Sequence, residues 1–331
     1  MVYLGFGVNY KSSQTNWSKD IIYFNKIGLN TIRPNLKSVP IPWSAGTPTL
    51  GTTANINAYW RLCAQTFANA GFFVTWGCSG PQGEGSPGGG GLTATLWASY
   101  HTAMISEATY LQSQGIALGD FELGNELESF IDGTTLTLAQ LNVNIRQLAT
   151  DVKAVYNLSP ISYATHSDAS LTDWIANGLG GLDTISFHPY GTINISAQTV
   201  SFTVPNNQIS EMFSAFGTKA YISEFNLDAD ASDLAALKTA PTVSNMQTFF
   251  STITSSGLNK FILYSFVGEL NADNQFAQLY TNGSTNPMWF DFFTSNPTQY
   301  STGQRADVIR TSVNRTSVPN RTSYPARPLF Q

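Results

Sequence analysis

Charged residues are scarce in this chain. Lys, Arg, Asp and Glu make up 11% of its 331 residues, well below the roughly 25% of an ordinary globular protein. The formal net charge is −5, and Ser, Thr, Asn and Gln stand where charges usually do. Because a nucleic-acid partner requires a basic face, we expect no nucleic-acid binding.

Cysteine and histidine are equally scarce. The only cysteines are Cys63 and Cys78, and there are three histidines. The sequence has no CxxC and no HxxxH pair, which argues against a redox motif, a zinc ribbon and a metalloprotease site. We therefore expect neither a metal nor a cofactor. A single bridge between the two cysteines stays open.

Long hydrophobic runs are absent too. No uncharged apolar stretch reaches about 18 residues, so we expect no transmembrane helix. The first residues, MVYLGFGVNY, lack the charged and apolar regions of a signal peptide. A chain whose signal peptide had been cleaved would begin in the same way, so the sequence leaves the cellular compartment undecided. A secreted or surface location is favoured. The oligomeric state is not encoded in these patterns.

What the chain does have is a regular alternation of two patterns. Helix-like segments end in Gly, which tolerates the left-handed cap of a helix, and a β-branched or aromatic run follows at once. Eight such runs read as strands: VYLGFGVNY, LNTIRPNL, FFVTWGCS, IALGDFELGNE, PISYATHSD, LDTISFHPYG, TKAYISEFNL and LNKFILYSFVGE.

Strict alternation of strands and helices predicts an α/β protein with parallel strands and right-handed crossovers. Eight units in about 300 residues are typical of a (β/α)8 barrel, or TIM barrel. A doubly wound open sheet is the competing fold. We predict one barrel domain over residues 1–296, followed by an irregular, Arg-containing tail over residues 297–331.

One motif matches a dinucleotide-binding site in its letters but not in its context. GEGSPG at residues 83–88 formally matches the GxGxxG of dinucleotide-binding sites. In such a site the glycines form the first turn directly after the strand, but here several residues intervene and a proline interrupts. We interpret this segment as a long loop over the barrel mouth. A serine hydrolase is also excluded, because the sequence GCSGP around Ser79 does not fit G-x-S-x-G.

The predicted strand ends carry polar side chains that face one mouth, as in all barrels of this kind. Strand 4 ends with Asn125 and Glu126, and strand 7 carries Glu224. The other strands contribute further candidates, which are Arg33, Trp76, His188 and Tyr190. Two carboxylates that face each other suit glycosidic bond cleavage, in which one is the acid and the other the nucleophile.

The different surroundings of the two glutamates predict different roles. Arg33 and the hydroxyl of Tyr190 would hold Glu224 as the anion. Glu126, close to that negative charge, would keep its proton and serve as the acid.

Four short motifs resemble the retaining glycoside hydrolases of clan A, a group with cellulases, mannanases and β-xylosidases. They are RP on strand 2, LGNE on strand 4, HPY on strand 6 and SEF on strand 7. The resemblance implies that Glu126 is the general acid/base and Glu224 the nucleophile. It further implies substrate-binding or orienting roles for Asn125, Arg33, His188 and Tyr190.

The chain departs from that family pattern at strand 8. Many members end this strand with a tryptophan that stacks under the sugar, whereas this chain reads FILYSFVGE. Phe266 would then substitute, or the nearby Trp289. Trp76 on strand 3 is a further candidate sugar platform.

These observations predict a retaining hydrolase of β-linked oligosaccharides or polysaccharides. The low charge and the many aromatic residues favour an endo-acting β-glucanase or mannanase. An exo-acting β-glycosidase of the xylosidase or glucuronidase type is the alternative. A barrel that only binds glycans is the competing class, although a pure binder has no need of both glutamates.

Overall fold

The structure is a computed structural model of the chain. The residues that it describes fall into these ranges: 5–10, 17–27, 29–34, 43–44, 47–48, 54–77, 91–188, 191–194, 199–202, 206–225, 227–229, 260–263, 280–281 and 284–285. The loop at 83–88 and the tail at 297–331 lie outside them.

Eight parallel strands form a closed barrel. They are β1 (Gly5–Tyr10), β2 (Thr31–Pro34), β3 (Phe73–Gly77), β4 (Asp120–Asn125), β5 (Ile161–Thr165), β6 (Thr184–Phe187), β7 (Ala220–Phe225) and β8 (Lys260–Leu263). Each strand pairs with the next in the chain, and β8 pairs with β1, with Gly5 opposite Lys260. The predicted (β/α)8 barrel is therefore confirmed, and the open sheet is excluded.

Six helices lie among the described residues that connect the strands from β1 to β7. They are α1 (Trp17–Ile27), α2 (Ala54–Asn69), α3 (Ala94–Ser113), α4 (Leu138–Val155), α5 (Asp168–Asn177) and α6 (Asn206–Phe216). Short 3-10 turns follow at Leu127–Ser129 and Gly217–Lys219. Among the helices that the structure describes, none is long and apolar enough to cross a membrane.

The helix ends follow the chemistry of their sequences. The α4 helix begins with a capping box, in which Thr137 and Gln140 each bond the other's backbone N–H. Gly71 and Gly115 follow α2 and α3 with φ of 90° and 64°, the region that glycine occupies without strain. These two glycines turn the chain from helix into strand, as the sequence predicts.

The apolar core lies between the barrel and its helices. Phe24, Phe67 and Phe72 form one aromatic group there, with 5.3 Å between the ring centroids of Phe67 and Phe72. Such tilted and edge-to-face pairs add to the stabilisation that comes from burial. The core fixes the helices against the strands, and the strands in turn set the positions of the site residues.

A small second sheet follows the ends of β6 and β7. Its strands are Thr199–Phe202, Gly191–Asn194 and Leu227–Ala229, in that order. The first two are antiparallel, and the third is parallel to the second. Two further two-residue strand pairs occur at Trp43–Ser44 with Thr47–Pro48 and at Tyr280–Thr281 with Ser284–Thr285. The sequence interpretation contained none of these strands.

Candidate active site

Five of the predicted site residues meet at the carboxyl ends of the barrel strands. Arg33 lies in β2, Asn125 ends β4 and Glu126 follows it, His188 follows β6, and Glu224 lies in β7. Arg33, Asn125, His188 and Glu224 are all buried, whereas the Glu126 side chain is 23% exposed. The glutamate predicted to be the acid is thus the one more open to solvent.

Arg33 is the hub of the site. Its Nη1 donates to Glu224 Oε1 at 2.5 Å, and its Nη2 donates to Asn125 Oδ1 at 2.7 Å. The same Nη2 also donates to Glu122 Oε1. Burial would lower the pKa of Arg33, but attraction to Glu122 and Glu224 outweighs burial and raises it. The guanidinium is therefore a permanent cation beside Glu224.

His188 joins the two glutamates. Its Nδ1 is hydrogen-bonded to Glu126 Oε1 and lies 3.9 Å from Glu224 Oε2. Its Nε2 is hydrogen-bonded to Ser223 Oγ at 2.7 Å. Burial lowers the pKa of His188, yet the charges of Glu224 and Glu126 outweigh burial and raise it. The imidazole is thereby held in one orientation between the carboxylates.

Glu126 has an unusual backbone conformation. It is the only non-glycine residue with positive φ in the part of the chain that the structure describes, at φ 51° and ψ 39°. Its N–H donates to the carbonyl of Ala164 in β5 at 2.9 Å. A left-handed conformation costs about 1–2 kcal/mol for an L-residue. The turn re-aims the Glu126 side chain toward His188 at the mouth.

The two glutamates lie close enough to act on one bond. A carboxylate oxygen from each and a ring nitrogen of His188 lie within 4.8 Å of one another. Such a group is also a possible ligand set for a metal ion. However, the fixed cation of Arg33 already faces Glu224, and it would repel a metal ion bound to the same carboxylate. The arrangement therefore favours acid–base and nucleophilic chemistry.

Solved structures with similar folds include glycosidases. An exo-β-1,4-mannosidase (Op5Man5) from Opitutaceae bacterium strain TAV5 matches with a TM-score of 0.62 and 14% identity, over 88% of this chain and 59% of that chain. Fungal β-1,4-galactanases match with a TM-score of 0.60 and 13% identity, over 88% and 99%. The chain has the fold of these glycosidases. It spans less than two thirds of the mannosidase's length.

A third similar structure is the mannotriose complex of a β-mannanase from Thermomonospora fusca. It matches with a TM-score of 0.57 and 16% identity, over 93% of this chain and 94% of that chain. No protein-family model and no curated protein sequence matches the chain. The glycosidase fold is thus visible in three dimensions and not in the sequence as a whole.

Trp76 does not belong with the site in this glycosidase fold. Its side chain is 2% exposed and lies in the apolar core. Trp76 pairs with Phe121, whose ring packs on Tyr156 beyond the end of α4. Because strand side chains alternate between faces, the neighbouring Thr75 is the one that reaches Lys260 in the barrel interior. Trp76 therefore faces the helices, and its indole offers no open surface to a sugar.

Two other predicted site residues, Tyr190 and Phe266, lie outside the described residues. The role of Tyr190 remains a prediction from its motif, and that of Phe266 a prediction from its position in the predicted strand 8.

The sequence interpretation missed Glu128, which lies two residues after Glu126. Its carboxylate accepts hydrogen bonds from Tyr163 Oη and Thr165 Oγ1, both at 2.5 Å, and from the His166 N–H at 2.8 Å. Burial raises its pKa, but the His166 side chain, whose Nδ1 lies 3.6 Å from Glu128 Oε1, together with these hydrogen bonds outweighs burial and lowers the pKa to about 2. Glu128 thus ties the Glu126 turn to the end of β5. Its nearness to Glu126 in the sequence was the available signal.

The barrel interior holds charged residues that the sequence interpretation also missed. Asp120 and Glu122 point inward from β4, and Lys260 points inward from β8. Asp120 Oδ2 accepts from Lys260 Nζ at 3.0 Å and from Tyr221 Oη at 2.9 Å. Burial raises the pKa of Glu122, while Arg33 acts in the opposite direction. The signal was the acidic alternation in DFE, which places both carboxylates on one face of the strand.

Proposed function

We propose that this protein is a retaining glycoside hydrolase that cleaves β-linked glycosides. The observation that carries the proposal is the pair Glu126 and Glu224, whose nearest carboxylate oxygens lie within 4.8 Å across the barrel mouth. Retaining enzymes keep their carboxyl groups about 5–5.5 Å apart, whereas inverting enzymes need about 6.5–9.5 Å to admit a water molecule. The observed proximity supports double displacement.

The neighbours of each glutamate support its role. Glu224 accepts a hydrogen bond from the Arg33 cation at 2.5 Å, which favours the ionised form that a nucleophile needs. Glu126 is the more exposed of the two, and the proton that it shares with His188 Nδ1 can be passed to a leaving group. We therefore assign Glu224 as the nucleophile and Glu126 as the acid/base.

The proposed reaction has two steps. In the first, Glu224 attacks the anomeric carbon, the bond to the leaving oxygen breaks, and Glu126 donates its proton to that oxygen. In the second, Glu126 takes a proton from water, and the resulting hydroxide displaces Glu224 from the glycosyl-enzyme intermediate. The sugar leaves with its original anomeric configuration, and both glutamates return to their starting states.

The remaining site residues bind and orient the substrate. Asn125 lies beside Glu126 and is fixed by Arg33 at 2.7 Å, so its amide N–H groups are available to a sugar hydroxyl. His188 holds Glu126, and Tyr190 would orient Glu224 together with Arg33. Phe266 would supply the apolar surface beneath the sugar ring.

Among possible substrates we propose an internal linkage of a β-glucan or a β-mannan. The low fraction of charged residues, 11%, and the aromatic fraction of 13% suit a long neutral glycan. The structural neighbours include an exo-β-1,4-mannosidase as well as a β-mannanase, so the exo-acting alternative enters the same test.

The test is product analysis on a panel of β-glucans, mannans, xylans and aryl β-glycosides. Glu224→Gln should lower kcat/KM by about 10⁴-fold or more, as expected when a nucleophile is lost. The matched control is Glu211→Gln, an exposed glutamate in α6, which should retain wild-type activity. Proton NMR of the first-formed product should show a retained β-anomer, and product length separates endo from exo action.

The roles of the two glutamates can be tested separately with azide. Azide should rescue Glu126→Ala on an aryl glycoside and yield a β-glycosyl azide, because the covalent intermediate on Glu224 still forms. With Glu224→Ala, azide would replace the nucleophile and yield the α-azide. Activity should also survive a chelator. An inverted product, or activity that requires added metal, would contradict the proposal, and glycan binding without turnover would support the binding-protein alternative.

A further inference from the structure

Glu122 is a buried carboxylate that the proposed reaction does not use. It lies in β4, four residues before Glu126, and its side chain is fully buried. Its Oε1 accepts a hydrogen bond from Arg33 Nη2, and its Oε2 has no hydrogen-bond partner among the described residues. A buried carboxylate is costly unless it is paired, so its presence at this position requires an explanation.

The contact with Arg33 connects Glu122 to the reacting groups. Arg33 donates through Nη1 to Glu224 and through Nη2 to both Asn125 and Glu122. The guanidinium is planar and rigid, so the direction of one nitrogen sets the direction of the other. A carboxylate that holds Nη2 therefore also aims Nη1 at Glu224.

Glu122 also affects how strongly the Arg33 charge stabilises the Glu224 anion. One buried cation faces two carboxylates, and interactions inside a protein are screened much less than in water. If Glu122 were neutral, the Arg33 charge would act on Glu224 alone. Glu224 would then ionise more easily and, as a more stabilised anion, would attack the sugar more slowly.

A second ion pair in the same barrel provides a comparison. Asp120 lies two residues before Glu122 on the same inward face, and it pairs with Lys260 at 3.0 Å. Neither Asp120 nor Lys260 has a described hydrogen bond to Asn125, Glu126 or Glu224. Glu122 differs because the cation that it binds, Arg33, also binds Glu224.

We propose that Glu122 is a positioning residue of the active site. It acts through Arg33, because it aims the guanidinium at Glu224 and limits how strongly the Arg33 charge stabilises the Glu224 anion. This inference rests on the proposed function, because it assumes that Glu224 is the nucleophile.

The test variant is Glu122→Gln, which keeps the size of the side chain and removes its charge. The acidic limb of kcat/KM against pH should move about one pH unit lower, because Glu224 loses a nearby negative charge. At the optimum kcat should fall about tenfold while KM stays within about twofold, as expected for an interaction that matters in the transition state.

Asp120→Asn is the matched control, since it removes a buried inward carboxylate from the same strand. Both variants should lower the melting temperature, but only Glu122→Gln should move the acidic limb. If Glu122→Gln lowers the melting temperature and leaves the limb and kcat at their wild-type values, Glu122 is a structural ion pair or carries a proton at the working pH. Either result overturns the proposal.

A second measurement does not depend on turnover. In protein labelled with ¹³C at the glutamate carboxyls, the Glu224 signal is assigned by its loss in Glu224→Gln. The Glu224 signal should titrate at lower pH in Glu122→Gln than in the wild type. If the wild type cleaves no glycan and this shift still occurs, the proposed function fails and the positioning role stands. Cleavage with an unshifted titration overturns the positioning role alone.

Discussion

Glu128 illustrates how a single side chain fixes the geometry of its neighbours. Its carboxylate is 3% exposed and accepts from Tyr163, Thr165 and the backbone of His166. Hydrogen bonds to the charged form lower a pKa, and here they exceed the opposing effect of burial. The turn that carries Glu126 is consequently tied to β5 by a residue that takes no part in the chemistry.

The low pKa of Glu128 makes its contribution to stability depend on pH. The folded pKa is about 2, below the value of about 4.3 in an unfolded chain. The stabilisation is therefore complete above about pH 4.5 and is lost as the pH falls toward 2. We predict that Glu128→Gln lowers the free energy of unfolding by about 3 kcal/mol at pH 7 and by less than about 1 kcal/mol at pH 2.5.

Urea unfolding of both proteins at pH 7, 4.5 and 2.5 measures this difference. Glu211→Gln, on the exposed surface of α6, is the control and should show a much smaller difference at each of the three pH values. An effect of Glu128→Gln that is equally large at pH 7 and pH 2.5 would show that lost packing, and not the lost charge, is responsible.

At the scale of elements, the junction after β4 determines where the acid lies. The strand is buried throughout and ends at Asn125, and the next residue adopts the left-handed conformation before the 3-10 turn Leu127–Ser129. Gly124 allows this turn, because a Cβ there would lie 2.6 Å from Leu127 Cδ1. The sequence LGNE therefore combines a strand end, a glycine at a close approach and a strained glutamate.

The left-handed conformation of Glu126 predicts that glycine is more stable than alanine at this position, the reverse of their order inside a helix. Glu126→Gly should be more stable than Glu126→Ala by about 1 kcal/mol, because glycine adopts φ of +51° without a steric cost. Both variants lack the acid/base, so the comparison concerns stability alone and is made by urea unfolding.

Ser106 is the control position for this comparison, as it lies exposed in the interior of α3. Glycine is about 1 kcal/mol less favourable than alanine inside a helix, so Ser106→Ala should be more stable than Ser106→Gly. If alanine is the more stable residue at both positions, the left-handed conformation of Glu126 contributes no measurable strain.

The elements of the barrel were predictable because their signals are local. Strands β2 to β7 are short runs that each follow a helix, and Gly71 and Gly115 mark joints that the sequence already indicates. The small sheet was not predicted, because its strands are only three or four residues long and the third, Leu227–Ala229, joins from a segment distant in sequence. Short strands and distant pairing leave no clear periodicity in the sequence.

The candidate site was predictable for residues at strand ends and not for residues inside the barrel. Arg33, Asn125, Glu126, His188 and Glu224 meet because parallel strands deliver their carboxyl ends to one mouth. Trp76 failed as a candidate because its position in the alternation turns it toward the helices. Contacts such as that of Glu122 with Arg33 depend on barrel closure, which no local pattern specifies.

At the scale of the whole molecule, closure of the sheet defines the domain. All eight barrel strands lie between Gly5 and Leu263, and β1 is bonded to β8 by four residue pairs from Gly5 to Val8. A closed barrel leaves no strand edge exposed. All barrel strands are thus paired with one another within residues 5–263.

We predict that a chain ending at residue 296 folds with a melting temperature within about 2 °C of the full chain and with its activity retained. The control ends at residue 259 and lacks β8, so its barrel has two open strand edges and should aggregate or stay unfolded. Calorimetry and the glycan assay measure both chains. A large loss of stability in the 1–296 chain would place the tail within the folded domain.

The pairing of Gly5 with Lys260 also has a consequence for how the protein is made. The first strand leaves the ribosome long before its partner is synthesised, so β1 and later β7 each wait with one unpaired edge. Contacts between distant parts of a chain form slowly, and open edges attract other chains in the meantime. Arg33 meets Glu224 only after β7 has emerged, which makes the active site one of the last features to form during translation.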